Sequence, residues 1–289
     1  MIKKNLDIIR RSRSLYSGKR GQGPVIYWME RDQRIDDNWA LLYAQQEALI
    51  RDKPLHIVFF IPRQSLSKKS PQVIFQVHGL SQNIKRCEEY NIGYSIFKGT
   101  AEKHLPQICN QLDCHLLVTD FSPLHPKQKS LRSISKNITI PVVEVDAHNI
   151  IPAWLVSSKK EYAAYTIRPK IHRLFDDYLT DFPKLSKQAN SPDKLNKDLP
   201  EITHSLYSII KMDTGVFNPG QSQAIGKMQK FITKDLDLYE QNRNNPNLAG
   251  QSELSCYLHF GQLAPQRLAY EVYHSEADKT GKETFLEEL

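Results

Sequence analysis

Between residues 24 and 145, five short β-branched and aromatic runs alternate with segments whose apolar residues recur at helical spacing. That alternation constrains the fold more than any other feature. Short, continuously apolar strands separated by helices indicate a mostly parallel sheet covered on both faces. The runs are residues 24–29, 55–61, 93–97, 115–119 and 140–145. Between the first two, Asn38 stands where its side-chain oxygen can cap a helix, and Trp39, Leu42, Tyr43, Leu49 and Ile50 follow at helical spacing. Pro71 suits a first helical turn, and Val73, Ile74, Val77, Leu80 and Ile84 keep the period to about Tyr90. After the third run, Thr100 is the expected cap and Leu105, Ile108 and Leu112 form one face. Pro106 there predicts a later start or a kink. A basic helix over residues 126–136 precedes the fifth run. The expected fold is therefore α/β, a Rossmann-like doubly wound parallel five-stranded sheet, with right-handed crossovers.

Beyond Asp146 the pattern changes. Residues 148–155 are apolar, 159–181 read as a partly helical connector, and 183–201 as a surface linker rich in proline, lysine and serine. From about Ser222 the chain turns helical, with Ala224, Met228, Phe231, Ile232, Leu236 and Tyr239 on one face. Residues 243–252 form a polar loop, 254–260 an apolar segment interrupted by Gly261, and Pro265 opens a helix carrying Leu268, Val272 and Tyr273. Residues 284–289 read as an amphipathic helix just beginning, without a cap or a basic last turn, so the chain is expected to be C-terminally incomplete. The expected divisions are a basic arm over 1–23, an α/β domain over 24–155, a connector over 156–220 and a helical region over 221–289.

The net charge of +7 invites an anionic partner. However, residues 1–23 hold seven basic residues against the single acid Asp7, so little excess is left for the body. That arm is expected to be solvated; its basic, serine-bearing composition also suits an organellar transit segment. No apolar run reaches about 18 residues, which argues against a membrane span. Cys87, Cys109, Cys114 and Cys256 show neither a C-x-x-C pair nor zinc spacing, so no metal site is expected. Reduced thiols fit a cytoplasmic or nuclear protein.

The charged residues Arg31, Asp32, Arg34 and Asp37 follow the first strand, where open α/β sheets bind ligands. They read either as a ligand contact or as a buried ion-pair scaffold, and their alternating signs favour the scaffold. The G-x-G-x-x-G dinucleotide fingerprint is absent there. Ser252-Glu253-Leu254-Ser255 offers hydroxyls and first-turn N–H groups suited to a pyrophosphate. Plain capping, with Ser252 as N-cap, accounts for it more simply. Tyr239 and Arg243 lie four apart and project from one side of a helix end. Arg243 can touch a phosphate there. No histidine sits in a local nucleophile–base motif.

Four stretches together resemble the photolyase/cryptochrome family, and within it the class II cyclobutane pyrimidine dimer (CPD) DNA photolyases. The first is Val25-Ile26-Tyr27-Trp28-Met29 with Arg31-Asp32-Gln33-Arg34 and Asp37-Asn38-Trp39-Ala40-Leu41-Leu42-Tyr43-Ala44-Gln45. The second is Val145-Asp146-Ala147-His148-Asn149-Ile150-Ile151-Pro152, continued by Glu161-Tyr162, Arg168 and Lys170. The third runs from Tyr239 to Arg243-Asn244-Asn245-Pro246, and the fourth is Leu254-Ser255-Cys256-Tyr257-Leu258-His259-Phe260-Gly261-Gln262. Cys256 replaces a usual proline, and Ala264 stands where a capping serine is common.

The resemblance implies an antenna domain followed by the start of an all-α FAD-binding domain. It implies light-driven repair of pyrimidine dimers by electron transfer from reduced FAD, on UV-damaged DNA whose dimer is flipped from the duplex. The cofactor then carries the chemistry, in keeping with the lack of an acid–base pair. Tyr239, Gln251, Ser252, Glu253, Leu254 and Ser255 would contact FAD, and Arg243 the DNA backbone. A second chromophore of folate or deazaflavin type belongs to the same expectation, as does a monomeric state. Electron-relay residues are expected beyond Leu289, so the chain alone is expected to be inactive. A cryptochrome-type photoreceptor and a shortened, non-enzymatic remnant are the rival readings.

Overall fold

The computed structural model describes residues 6–190, 208–215 and 217–289. Two compact units emerge: Met1–Ala147 with Pro183–Asn218, and His148–Phe182 with Pro219–Leu289.

The first unit opens with helix α1 (Leu6–Arg10) and strand β1 (Ser12–Tyr16), followed by β2 (Val25–Trp28), α2 (Trp39–Ile50) and β3 (Leu55–Ile61). Next come α3 (Arg63–Lys68), α4 (Pro71–Glu89), β4 (Gly93–Lys98) and α5 (Ala101–Gln111). β5 (Leu116–Asp120), α6 (His125–Ser135) and β6 (Val142–Val145) complete it. The sheet order is β1-β6-β5-β2-β3-β4. Strands β2 to β6 pair in parallel, in keeping with their mostly apolar composition. Because side chains alternate across the sheet, Ile26 and Trp28 join Leu105, Ile108, Leu131 and Ile134 from α5 and α6 in one core. Tyr27, on the opposite face, accepts a hydrogen bond from the Asn38 side chain at the start of α2, at 3.1 Å.

The five expected strands are joined by a sixth. Residues 12–16, expected to belong to a solvated arm, form an antiparallel edge strand on β6, with Ser12 opposite Val145 and Arg13 opposite Glu144. The arm's charge is partly consumed by the fold. Arg13 pairs with the buried Glu144 at 2.6 Å, Arg20 reaches Glu47 at 3.3 Å, and Arg11 is buried 4.5 Å over the Trp39 ring. Ahead of β2 the chain passes so close to residues 112–114 that a Cβ on Gly23 would overlap the Leu112 carbonyl oxygen. The Gly23 N–H instead donates to the Asp113 carbonyl at 2.7 Å.

Helix α2 begins where Asn38 predicts, with the Asn38 Oδ1 accepting from Ala40 and Leu41 N–H at 3.0 and 3.1 Å. It is buried around more of its circumference than the expected face, Gln45, Gln46 and Glu47 included. The returning segment accounts for part of this. Gln45 exchanges hydrogen bonds with the Ser186 backbone at 2.7 and 2.9 Å, and Asn190 reaches Asp52. Residues 183–190, read from sequence as linker, are thus tied to the sheet domain; residues 191–201 of that stretch lie outside the described residues. Ser70 caps α4 through the Val73 N–H. Helix α5 runs through Pro106 from Ala101, so the expected later start does not occur.

The second unit holds α7 (Ala153–Val156), α8 (Ala164–Tyr178), α9 (Gln221–Lys234), a 3-10 turn (Leu236–Leu238) and α10 (Tyr239–Asn242). It continues with α11 (Ser255–His259), α12 (Pro265–Tyr273) and α13 (Lys279–Glu288). Phe231, Tyr239 and Phe285 pack ring to ring, with centroids 4.9–5.5 Å apart. The last helix starts earlier than expected, and it is capped. The Asp278 carboxylate accepts from the Thr280 N–H at 2.8 Å. A Cβ on Gly281 would overlap the Leu236 carbonyl oxygen, so glycine lets α13 lie against the 3-10 turn.

Candidate functional site

In the first unit β2 and β5 are neighbours although distant in sequence. Their carboxyl ends mark the switch point at which open α/β sheets bind ligands. The charged loop after β2 lies there. Asp32 and Arg34 form an ion pair at 2.7 Å with both side chains fully buried. Arg34 also donates to the Asp37 and Ala147 carbonyls, each at 3.0 Å. Asp37 adopts a left-handed conformation (φ 56°), which aspartate tolerates better than most residues. Asn38 donates to the carbonyls of Asp32 and Arg34 while capping α2. The cluster is a scaffold, as its alternating signs indicated.

Sequence reading missed the residues that complete it. Asp120, at the end of β5, accepts from the N–H groups of Glu30, Arg31 and Asp32 through one carboxylate oxygen, at 2.9, 2.8 and 3.1 Å. Its other oxygen accepts from the Tyr27 hydroxyl. Lys127 is buried over the Trp28 ring, donates to Thr119 at 2.8 Å and pairs with Glu30. These partners lie about ninety residues from the loop, beyond the reach of any spacing rule.

Burial, and then the Asp32 carboxylate, raise the Asp120 pKa to about 6, against the pull of Lys127, Tyr27 and the loop N–H groups. A carboxyl whose pKa is raised on folding stabilises most below its unfolded value and loses that contribution as pH rises through its folded value. The unfolding midpoint of the wild type, measured against that of Asp120→Asn, should therefore fall as pH rises from about 4 to about 7. A pH-independent difference between the two would contradict this. Using the variant as reference removes the opposite trend from His56, whose pKa burial lowers to about 3.

In the second unit the sequence candidates come together around residues 239–255. Tyr239 is buried, and its hydroxyl donates to Glu288 at 2.8 Å. Arg243 pairs with the other oxygen of Glu288, and Gln251 donates to the Arg243 carbonyl. Glu288 is a site residue that sequence reading did not single out. A Cβ on Gly250 would overlap the Asn242 carbonyl, so glycine brings Gln251 against the end of α10.

Ser252 does not cap α11. Its hydroxyl accepts only a 3.4 Å contact from the Leu254 N–H, and Leu254 is the N-cap residue. The cause is Glu253, whose left-handed conformation (φ 53°) turns the chain out of helical geometry until Ser255. A left-handed residue followed by Leu254 in the right-handed region aims successive N–H groups to one side, a concavity that suits an anion. Ser255 is exposed at the start of α11, Ser252 and Leu254 are partly and fully buried, and Glu253 is held by Lys227. Of the motif residues after Pro152, Lys170 pairs with Glu161 at 2.5 Å and Arg168 with Glu287, while Tyr162 is exposed.

The sheet order, with its first parallel strand at the centre and helices on both faces, defines a Rossmann-like doubly wound domain accompanied by a helical unit. The family model described as DNA photolyase matches residues 25–187. The chain belongs to the DNA photolyase family. It is 37% identical over 281 residues to a protein of Arabidopsis thaliana named deoxyribodipyrimidine photo-lyase, covering 92% of this chain and 57% of that protein. A Potorous tridactylus protein of the same name is 35% identical over 254 residues, covering 86% of this chain and 47% of the relative. The chain thus spans about half the length of the curated relatives it matches.

Among solved structures, a Synechocystis cryptochrome superposes with a TM-score of 0.74 at 16% identity, covering 93% of this chain and 60% of that one. A bacterial class III photolyase from Agrobacterium tumefaciens gives 0.69 at 18% identity, covering 96% and 57%. These likenesses establish the fold. Among the described residues no helix is long and apolar enough to cross a membrane.

Proposed function

We propose that this chain is the N-terminal portion of a class II CPD photolyase that repairs pyrimidine dimers in UV-damaged DNA using reduced FAD and blue light. The observation that carries this reading is 37% identity, along most of the chain, to a relative named deoxyribodipyrimidine photo-lyase. The class II assignment rests on the Arg31-Asp32-Gln33-Arg34 and Asp37-Asn38 opening motif. The backbone concavity at Glu253-Leu254, beside the Ser252 and Ser255 hydroxyls, fits a flavin phosphate.

In this reading Ser252, Leu254 and Ser255 hold the phosphates through hydroxyl and N–H donors, with Gln251 and Glu253 flanking them. Tyr239, its hydroxyl fixed by Glu288, contacts the same cofactor. When bound and reduced, FAD supplies the electron that opens the cyclobutane ring on excitation. The chain's own part is to bind and orient. Arg243, fixed by Glu288 through one end of its guanidinium, contacts the DNA backbone, and the protein acts as a monomer. The second chromophore, if of folate or deazaflavin type, would belong to the first unit.

The test is to express the full reading frame and measure flavin absorbance and light-dependent loss of thymine dimers. Bound flavin with dimer loss supports the proposal. Bound flavin without repair would favour a cryptochrome-type photoreceptor, and absence of flavin would overturn the reading. Arg243→Ala in that protein should weaken DNA binding across sequences and reduce the slope of log affinity against log salt by about 1. An unchanged slope would remove Arg243 from the DNA interface.

A further inference from the structure

In Rossmann-type sheets an external phosphate is held by the loop after the first parallel strand and by the N-terminus of the helix beyond it. Convergent N–H groups and the helix dipole favour negative charge there. In this chain both sets of donors are taken by side chains. The consecutive N–H groups of Glu30, Arg31 and Asp32 converge on a single oxygen of Asp120. The N–H groups of Ala40 and Leu41 end on Asn38. Asp120 is fully buried at the switch point, and Tyr27 holds its second oxygen. The loop contains no glycine, whereas phosphate-binding loops use glycine to let a ligand approach the backbone.

We propose that the Asp120 carboxylate is a built-in anion occupying the phosphate position of this fold, latching the β2 loop from within. The crevice would then accept a small oxyanion of formate or acetate size only when that carboxylate is removed. A nucleotide or other phosphate-bearing second chromophore must then be held elsewhere. Three groups set the latch: the Tyr27 hydroxyl orients the carboxylate, the Asp32–Arg34 pair fixes the loop, and Lys127 balances charge from the α6 side. None of these depends on the flavin reading of the second unit.

The test compares thermal unfolding of wild type, Asp120→Asn and Asp120→Ala with and without formate. Saturating formate should raise the melting temperature of Asp120→Ala by about 2–4 °C and leave wild type and Asp120→Asn where they were. An equal response in wild type, or none in Asp120→Ala, overturns the proposal. Should Asp120→Ala not fold, the wild-type protein decides through its Glu30, Arg31 and Asp32 amide resonances during titration with inorganic pyrophosphate. Unmoved resonances support the latch; a saturable shift at these three amides overturns it.

Discussion

Replacing Arg34 by methionine is expected to destabilise the sheet domain by about 3–5 kcal/mol, because it leaves the Asp32 carboxylate buried beside no matching charge. The Ala147 and Asp37 carbonyls lose a donor in the same substitution. Removing both charges should be milder than the sum of the single losses, since the penalty lies in the uncompensated ion. The double variant Asp32→Asn/Arg34→Met should therefore recover part of the loss. Native-state hydrogen exchange of the β2 and β5 amides is the suitable measurement, because a chain of two units need not unfold in one step. A loss below about 1 kcal/mol for Arg34→Met would put this pair among those that contribute little, and the scaffold reading of the loop would fail.

Trp39→Ala should cost a similar amount, about 3–5 kcal/mol, as for other large core aromatics cut to alanine. Its ring is 1% exposed and forms the floor on which Arg11 rests. The damage should extend to β1, because the Arg11 carbonyl accepts from the Asp146 N–H just past the strand that β1 pairs with. Exchange of the Arg13 and Tyr16 amides, which stand opposite Glu144 and Val142, should quicken along with that of α2. Arg11→Met should cause a smaller loss of about 0.5–2 kcal/mol, the range of a cation–π contact. Unchanged exchange in β1 on removing Trp39 would show that the arm is held by its sheet pairing alone.

The parallel core was legible because burial on both faces selects strands that are mostly apolar, as in β2, β3 and the first residues of β5 and β6. Asn38 and Pro71 announced helix starts through chemistry local to the backbone. The scaffold role of Asp32 and Arg34 could be read from alternating sign over three residues. Strand β1 could not be read this way. Ser-Arg-Ser-Leu-Tyr has neither a continuous run nor clean alternation, because an edge strand needs to cover little and is free to carry charge. Asp120 and Lys127 were invisible for another reason: their partners are brought in by strand order. At Ser252 the capping chemistry was present, but a left-handed Glu253 displaced the helix start. No periodicity encodes that conformation.

The order in which the chain visits its two units bears on how the protein is made. The last strand of the sheet ends at Val145, yet Gln45 finds Ser186, and Asp52 finds Asn190, only after residues 148–182 of the other unit have been synthesised. At about 5–20 residues per second, a ribosome takes several further seconds to deliver those partners. During that interval the outer face of α2 lacks its covering segment, and the nascent sheet presents a surface that the finished protein conceals. Chaperone capture during translation should therefore fall once the segment around Ser186 has left the exit tunnel, some time after the sheet itself is complete.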